Sequence, residues 1–453
     1  MFCTEGYLTQ REAIGGGAMP ESAMLSPATA QPAPSSRDWA RLAALMLGYA
    51  GVYLCRKNFA VAIPLIGESL QLNKAQIGAV ASYSTAAYMA GKFVFGPVID
   101  RVGGRTAFLA SLVVVATFGA LGGTAGSIAG LTLFYSMNRL AGSAGWGAMV
   151  KQVPDWFSSR SLALAMGILS LSFVFGGMLA TILAGFIARW SGNDWRWVMS
   201  GPSIVLAVIV LICWAALPPA RSTEVQRRRT IREALAVDWR GIVAVATARR
   251  FWIVCALSFT LTLLRETFNT WTVDFFQTSG GPAMSSAMAA FLSTPFDACG
   301  AVGIVTLGWL FGRIRQRGRT TVLVAMLSML AAAIAVLPTF AVRNVVLATV
   351  VVGVIGFLAY GPYSLLAGLF AVEIKGKEHV ATVAGILDGV GYLAAILSGE
   401  AFGRLLDLGG YQLGFDSLAA LAALSAVLCL FLYERSKSAI AILEKETLWT
   451  PAT

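Results

Sequence analysis

Charge is scarce in this sequence, and histidine is almost missing. Of 453 residues, 13% are Asp, Glu, Lys or Arg, and His379 is the single histidine. A globular chain carries about 25% charged residues, so a soluble fold would be short of polar surface. His379 lies in EIKGKEHV, between two apolar runs. Proton relays inside the apolar part therefore fall to carboxylates. The six cysteines form no C-x-x-C pair, and Cys55, Cys213, Cys255, Cys299 and Cys429 sit within apolar runs. They read as small buried hydrophobes rather than redox or metal groups. H-E-x-x-H, G-x-S-x-G and P-loop motifs are also missing, so no enzyme, metal or cofactor is expected.

What is abundant is apolar length. The chain is 57% hydrophobic, in twelve runs: 41–64, 76–99, 106–125, 128–150, 162–188, 197–217, 251–276, 285–311, 320–338, 344–370, 380–402 and 413–433. A run of about 20 apolar residues spans a bilayer as a helix. The runs are continuous rather than alternating, which favours helices over a β-barrel. The expected fold is an all-α polytopic membrane protein of twelve transmembrane helices in two pseudo-symmetric six-helix bundles.

The net charge of +11 does not call for nucleic acid. If the spans alternate, Arg37, Arg41, Arg101, Arg105, Lys151, Arg160, the basic stretch 221–250, the arginines at 313–319, Lys375, Lys377, Arg435 and Lys437 fall on one side. That asymmetry places both termini in the cytoplasm, against anionic lipid. Residues 1–36, rich in Ala, Pro and Ser, read as a disordered tail without a signal-peptide core. The expected division is a bundle over 37–217, a cytoplasmic basic linker over 218–250, a second bundle over 251–435 and a cytoplasmic tail over 436–453.

Two stretches test the repeat. Arg41 is followed by Arg56 fifteen residues on, and Arg250 by Arg265 fifteen residues on, in RKNF and RETF. At 1.5 Å per residue each arginine lies roughly 22 Å along its helix. An arginine there costs about 2.5–3.5 kcal/mol. It is either a snorkelling structural residue or, as a matched pair, half of an anion clamp, since the planar guanidinium binds phosphate or carboxylate bidentately. Lys57 faces a neighbouring helix or the cavity edge. Lys92 is a third intramembrane cation. Of the acids in the runs, Glu266, Asp297, Asp388 and Glu400 are read as intramembrane. Asp297 is the expected partner of Arg265 or Lys92, either neutralising it or competing with the anion. Asp388 lines the cavity or couples protons, and Glu400 is interfacial. Tyr49 and Tyr53 share a face with Arg56, as phosphate ligands or as packing, with Tyr360 and Tyr392 as further candidates. Asp100, Arg101 and Arg105 sit in a short loop that could latch one bundle to another.

These residues carry a resemblance. Gly96, Asp100, Arg101, Gly103 and Arg105 resemble the loop 2–3 signature of the major facilitator superfamily. GYAGVYLCRKNFA, SYSTAAYMAGKFVFGPVIDR, GWGAMVKQVPDWF, LLRETFNTW, FLAYGPYSLLAG and AGILDGVGYLAA resemble the organophosphate:phosphate antiporters, over about residues 38–435. The resemblance implies phosphate binding by Arg56 and Arg265. It also matches Lys92, Tyr49, Tyr53 and Asp297 to the family's positions, and implies exchange of an organic phosphate for inorganic phosphate by alternating access. The chain departs from it at Phe173, where a histidine is usual in the bacterial carriers, at Gly145 to Val150, and at Gly312. The expected function is therefore an inner-membrane antiporter of a small anionic metabolite against inorganic phosphate, acting as a monomer. The competing expectations are a proton-coupled symporter of a carboxylate, with Asp297 or Asp388 as proton site, and a membrane sensor of a sugar phosphate.

Overall fold

The computed structural model describes residues 34–157, 159–218, 249–279, 284–314, 316–365 and 380–447. Among these residues the chain is helical and has no strand. The helices are α1 (Ser36–Leu70), α2 (Lys74–Val102), α3 (Gly104–Gly122), α4 (Ile128–Gln152), α5 (Ser159–Trp190), α6 (Trp195–Ala216), α7 (Arg249–Ser279), α8 (Ser286–Ser293), α9 (Pro295–Arg313), α10 (Gln316–Arg343), α11 (Val345–Leu365), α12 (Val380–Leu397) and α13 (Glu400–Thr447). Residues 1–33 and 448–453 of the expected tails and most of the expected linker lie outside the described residues, as do His379 and the side chains of Asp100, Arg101 and Asp388, whereas 436–447 of the expected C-terminal tail continue α13.

Eight described segments are long and apolar enough to cross a membrane, the last of them running through α12 and α13. Within α13 the helical dihedrals lapse at Gly409 and Gly410, between the expected eleventh and twelfth spans. α1, α2 and α4 match the remaining expected spans. They are the helices that carry Arg56 and Lys57, Lys92, and Arg139, charges that lower their hydropathy. The expected eighth span is two helices. Pro295, at the first turn of α9, has no N–H to continue α8. Thr294 between them keeps helical dihedrals (φ −63°, ψ −29°), so the span continues as α9 and presents Asp297 in the first turn of the new helix. Large apolar side chains such as Phe186, Leu211, Val305 and Val346 face outward, 64–70% exposed, as suits a lipid-facing surface.

One residue of RKNF has a purely structural role. The Asn58 amide donates to the carbonyls of Val198 (3.1 Å) and Met199 (3.0 Å) on α6. Pro202 lies inside α6 and has no N–H for the carbonyl four residues earlier, that of Val198. Asn58 thus satisfies a backbone acceptor that hydrocarbon could not.

Among the described residues, the two halves meet closely at the end where α1 finishes and α2 begins. Asp407 of α13 accepts from the backbone N–H groups of Lys74 (2.9 Å) and Ala75 (2.8 Å), capping α2 from the other half. Lys74 donates to both oxygens of Asp274, at 2.6 and 2.7 Å. Asp274 is fully buried and also accepts from Tyr411. Ser82 donates to the Ile396 carbonyl and accepts from the Glu400 N–H. Backbone approaches backbone at Gly78 and Gly399, where a Cβ on Gly399 would lie 2.3 Å from the Gly78 carbonyl oxygen. Glu400 itself sits at the start of α13, ion-paired to exposed Arg404, as an interfacial acid would.

A side chain at Gly399 is expected to wedge this end apart. In a background free of native cysteines, cysteines placed at Ala75 and Asp407, whose carboxylate reaches within 2.8 Å of the Ala75 backbone nitrogen, should cross-link readily in the parent. Gly399→Val should cost the closed arrangement about 1–3 kcal/mol and remove most of that yield. Undiminished cross-linking would show that the contact is not a seal.

Candidate functional site

Deep to that seal, α1, α2, α4, α5, α7, α9 and α11 enclose a cavity between the halves. It holds about 50 Å³, room for a few waters at roughly 10–15 Å³ each. Its charged lining is Arg56, Lys57, Arg139, Arg265, Glu266 and Asp297. Phe173 of α5 also lines it.

Both arginines of the repeat reach this cavity, but they do not face each other across open space. Arg265 Nη2 lies 2.5 Å from Glu266 Oε1, and Arg56 Nη2 lies 3.4 Å from Glu266 Oε2. One carboxylate therefore bridges guanidiniums from the two halves. Arg56 lies over the Tyr53 ring at 5.2 Å and the Tyr88 ring at 5.3 Å, with the Tyr53 hydroxyl 3.4 Å from its Nη1. Tyr135 of α4 donates to the Arg56 carbonyl at 2.7 Å, which holds α1 against α4 at this depth. Arg265 lies over Tyr363 at 4.2 Å and Tyr360 at 5.8 Å. Each guanidinium thus has an aromatic face on its own half, a cation–π contact worth about 0.5–2 kcal/mol.

Lys57, the neighbour of Arg56, points toward α9. Its ammonium pairs with Asp297 Oδ2, and Asp297 Oδ1 accepts from the Tyr360 hydroxyl at 2.8 Å. This corrects the expectation that Asp297 pairs with Arg265 or Lys92. Arg265 is already engaged by its neighbour Glu266, while the start of α9 brings Asp297 opposite Lys57. The helix N-terminus adds a favourable dipole to the carboxylate. Gly177 of α5 makes room for the pair. A Cβ there would lie 3.2 Å from Lys57 Cδ and 3.4 Å from Asp297 Oδ2.

The remaining sequence candidates occupy different places. Tyr49 is buried behind Tyr53 at 5.4 Å between ring centroids and against Trp146 at 5.7 Å. Lys92 Nζ stands 5.5 Å from the Tyr88 centroid and 6.0 Å from that of Tyr392, and the two rings pack across the halves at 5.4 Å. Arg105 donates from Nε to the Leu217 carbonyl at 2.9 Å and from Nη2 to that of Trp214 at 3.1 Å. It caps the end of α6 within its own half, a cation at a helix C-terminus, and does not reach the second half through these bonds.

Sequence reasoning passed over three residues and the role of a fourth. Arg139 of α4, 5% exposed, stacks over Tyr88 at 4.8 Å. Tyr88 itself is the ring shared by Arg56, Arg139 and Lys92. Asp274 anchors the seal. Glu266 was recognised as an intramembrane acid but not as the bridge. Arg139 and Asp274 carried the signal that picked out Arg56, a charge inside an apolar run. The aromatic role of Tyr88 had no signal short of three dimensions.

Chains of known kind agree with this architecture. The family model described as Major Facilitator Superfamily matches residues 45–399. A probable hexose phosphate transport protein of Chlamydia pneumoniae is 27% identical over 418 residues, 86% of this chain and 89% of that protein. The glycerol-3-phosphate transporter of Bacillus subtilis (strain 168) is 24% identical over 421 residues, 87% and 92% of the two chains. The membrane sensor protein UhpC of Salmonella typhimurium is 25% identical over 414 residues, 87% and 91%. A crystal structure of a bacterial homologue of the human lysosomal transporter Spinster, inward-facing and occupied, has a TM-score of 0.72 at 17% identity, over 87% of this chain and 96% of that one. These relatives bear out the resemblance drawn from the sequence, and carriers and a sensor are not enzymes.

The Lys57–Asp297 pair is buried, so removing one partner leaves an uncompensated charge. Lys57→Ala and Asp297→Ala are each expected to cost about 3–5 kcal/mol, with the double variant less destabilised than either single. Thermal unfolding of the purified proteins in detergent measures this, and simple additivity would contradict it. By fold, cavity and family model together, this chain is an integral membrane transporter that belongs to the major facilitator superfamily.

Proposed function

We propose that the protein exchanges an organic phosphate, or a related anionic metabolite, for inorganic phosphate by alternating access. The observation that carries this reading is Glu266 bridging Arg56 and Arg265. Two fixed cations from opposite halves share one carboxylate, which leaves one positive charge uncompensated. A phosphate carries about −1.5 to −2 charge and three acceptor oxygens. It can displace the bridge and hold both guanidiniums more fully than Glu266 does. Emptying the site restores the weaker bridge, so departure of one anion is favoured when another replaces it. That asymmetry suits exchange rather than net flux. The names of the relatives, carriers of hexose phosphate and glycerol 3-phosphate, support the same substrate class.

Both arginines come from one chain, so a monomer suffices. With the basic loops in the cytoplasm, the sealed end faces outward in the state described, and substrate reaches the cavity from the cytoplasmic side. The symporter reading is weaker. Asp297, one of its two candidate proton sites beside Asp388, is already engaged by Lys57 and Tyr360. The sensor reading keeps support from the similarity to UhpC, and flux separates it from carriage.

Proteoliposomes loaded with inorganic phosphate test the proposal. Labelled phosphate should enter by exchange, and organic phosphates should compete. Arg265→Ala removes a buried charge contact worth about 2 kcal/mol or more, so exchange should fall at least about 30-fold. Parent protein that binds a sugar phosphate but passes none would favour the sensor. Parent protein without exchange or binding, or Arg265→Ala at full rate, would sink the antiport reading.

A further inference from the structure

Arg139 is the charge in the cavity that nothing yet accounts for. Its residue is 95% buried, and its Nε and Nη1 are buried without a hydrogen-bond partner. It lines the central cavity and also a small recess between α1, α2 and α4, where Asn138 and Tyr88 stand beside it. The two acids of the cavity are taken. Glu266 serves Arg56 and Arg265, and Asp297 serves Lys57 and Tyr360. Arg139 has the Tyr88 face instead, at 4.8 Å, a ring that also carries Arg56 at 5.3 Å and Lys92 at 5.5 Å. Since Arg56 and Arg139 are both that close to one centroid, their guanidinium carbons are no more than about 10 Å apart. Three cations crowded on one ring repel one another, and idle buried donors are a cost that an anionic ligand relieves.

We propose that Arg139 is a second anion-binding residue of the cavity, and that the substrate carries a carboxylate besides its phosphate. The inference rests on the organic-phosphate reading and narrows it. Phosphate occupies the Arg56–Arg265 clamp between the halves. The carboxylate lies toward α4, where the planar fork of Arg139 offers paired donors. The substrate class is thus a small phosphorylated carboxylic acid, held at two anionic ends. A plain phosphate ester would fill the clamp and leave Arg139 unpaired.

Equilibrium binding to the purified protein tests this with two probes, 3-phosphoglycerate and glycerol 3-phosphate, which differ by a carboxylate against a hydroxymethyl group. The parent should bind phosphoglycerate at least about tenfold more tightly, the scale of one charge-assisted contact. Arg139→Gln should erase most of that preference while shifting glycerol phosphate less than about threefold. Arg139→Lys keeps the charge without the fork and should fall between. It also serves as the test variant if Arg139→Gln does not fold, and then reduced affinity for phosphoglycerate alone supports the assignment. A parent without preference, or variants that weaken both probes equally or neither, overturns it. A parent that binds neither probe nor inorganic phosphate removes the phosphate reading itself, and the assignment with it.

Discussion

A charge held away from water must find its partner inside the protein, and that constraint organises the centre of this molecule. An arginine or lysine at the middle of a span costs several kcal/mol unless it is paired. Arg56, Lys57, Arg139 and Arg265 all lie there. The fold brings Glu266 to the two matched arginines and Asp297 to Lys57, and each bridge crosses between halves. The site is therefore also an interface. Whatever changes the pairing at the centre changes how the halves hold together.

The surrounding structure serves that arrangement by simple means. Pro295 starts a new helix in mid-span, so Asp297 stands at a helix N-terminus. Gly177 withholds a side chain where Lys57 and Asp297 meet. Asn58 repairs the acceptor that Pro202 leaves open on α6. At the sealed end, Gly78 and Gly399 let two backbones touch, and Asp274 is held by Lys74 and Tyr411. Polar contacts at the seal and at the centre differ in kind. Those at the seal join fully satisfied groups, whereas those at the centre leave Arg139 with idle donors and share one carboxylate between two arginines. Exchangeable interactions belong where satisfaction is incomplete.

Much of this was legible beforehand. Apolar run length and the one-sided basic loops gave the spans and the two halves. The fifteen-residue spacing picked out Arg56 and Arg265 before any coordinates. Lys57 was left between a neighbouring helix and the cavity edge, and it proved to be at both, lining the cavity while paired to α9. What failed was pairing. Asp297 was matched to Arg265 or Lys92, yet the sequence does not say which face of a helix looks where. Arg139 was overlooked in a run where its charge was as conspicuous as that of Arg56.

The sequence by itself determined that the chain lives in a membrane, that it folds as two related bundles, and that each contributes an arginine at matching depth. Those are consequences of hydropathy and of helix rise, which act along one dimension. Only the tertiary structure decided that Glu266 bridges the arginines, that Asp297 belongs to Lys57, that Tyr88 gathers three cations, and that the halves seal at Lys74 and Asp274. These depend on helix rotation and on approach between segments some two hundred residues apart, and charge pairing is settled there because it falls steeply with distance.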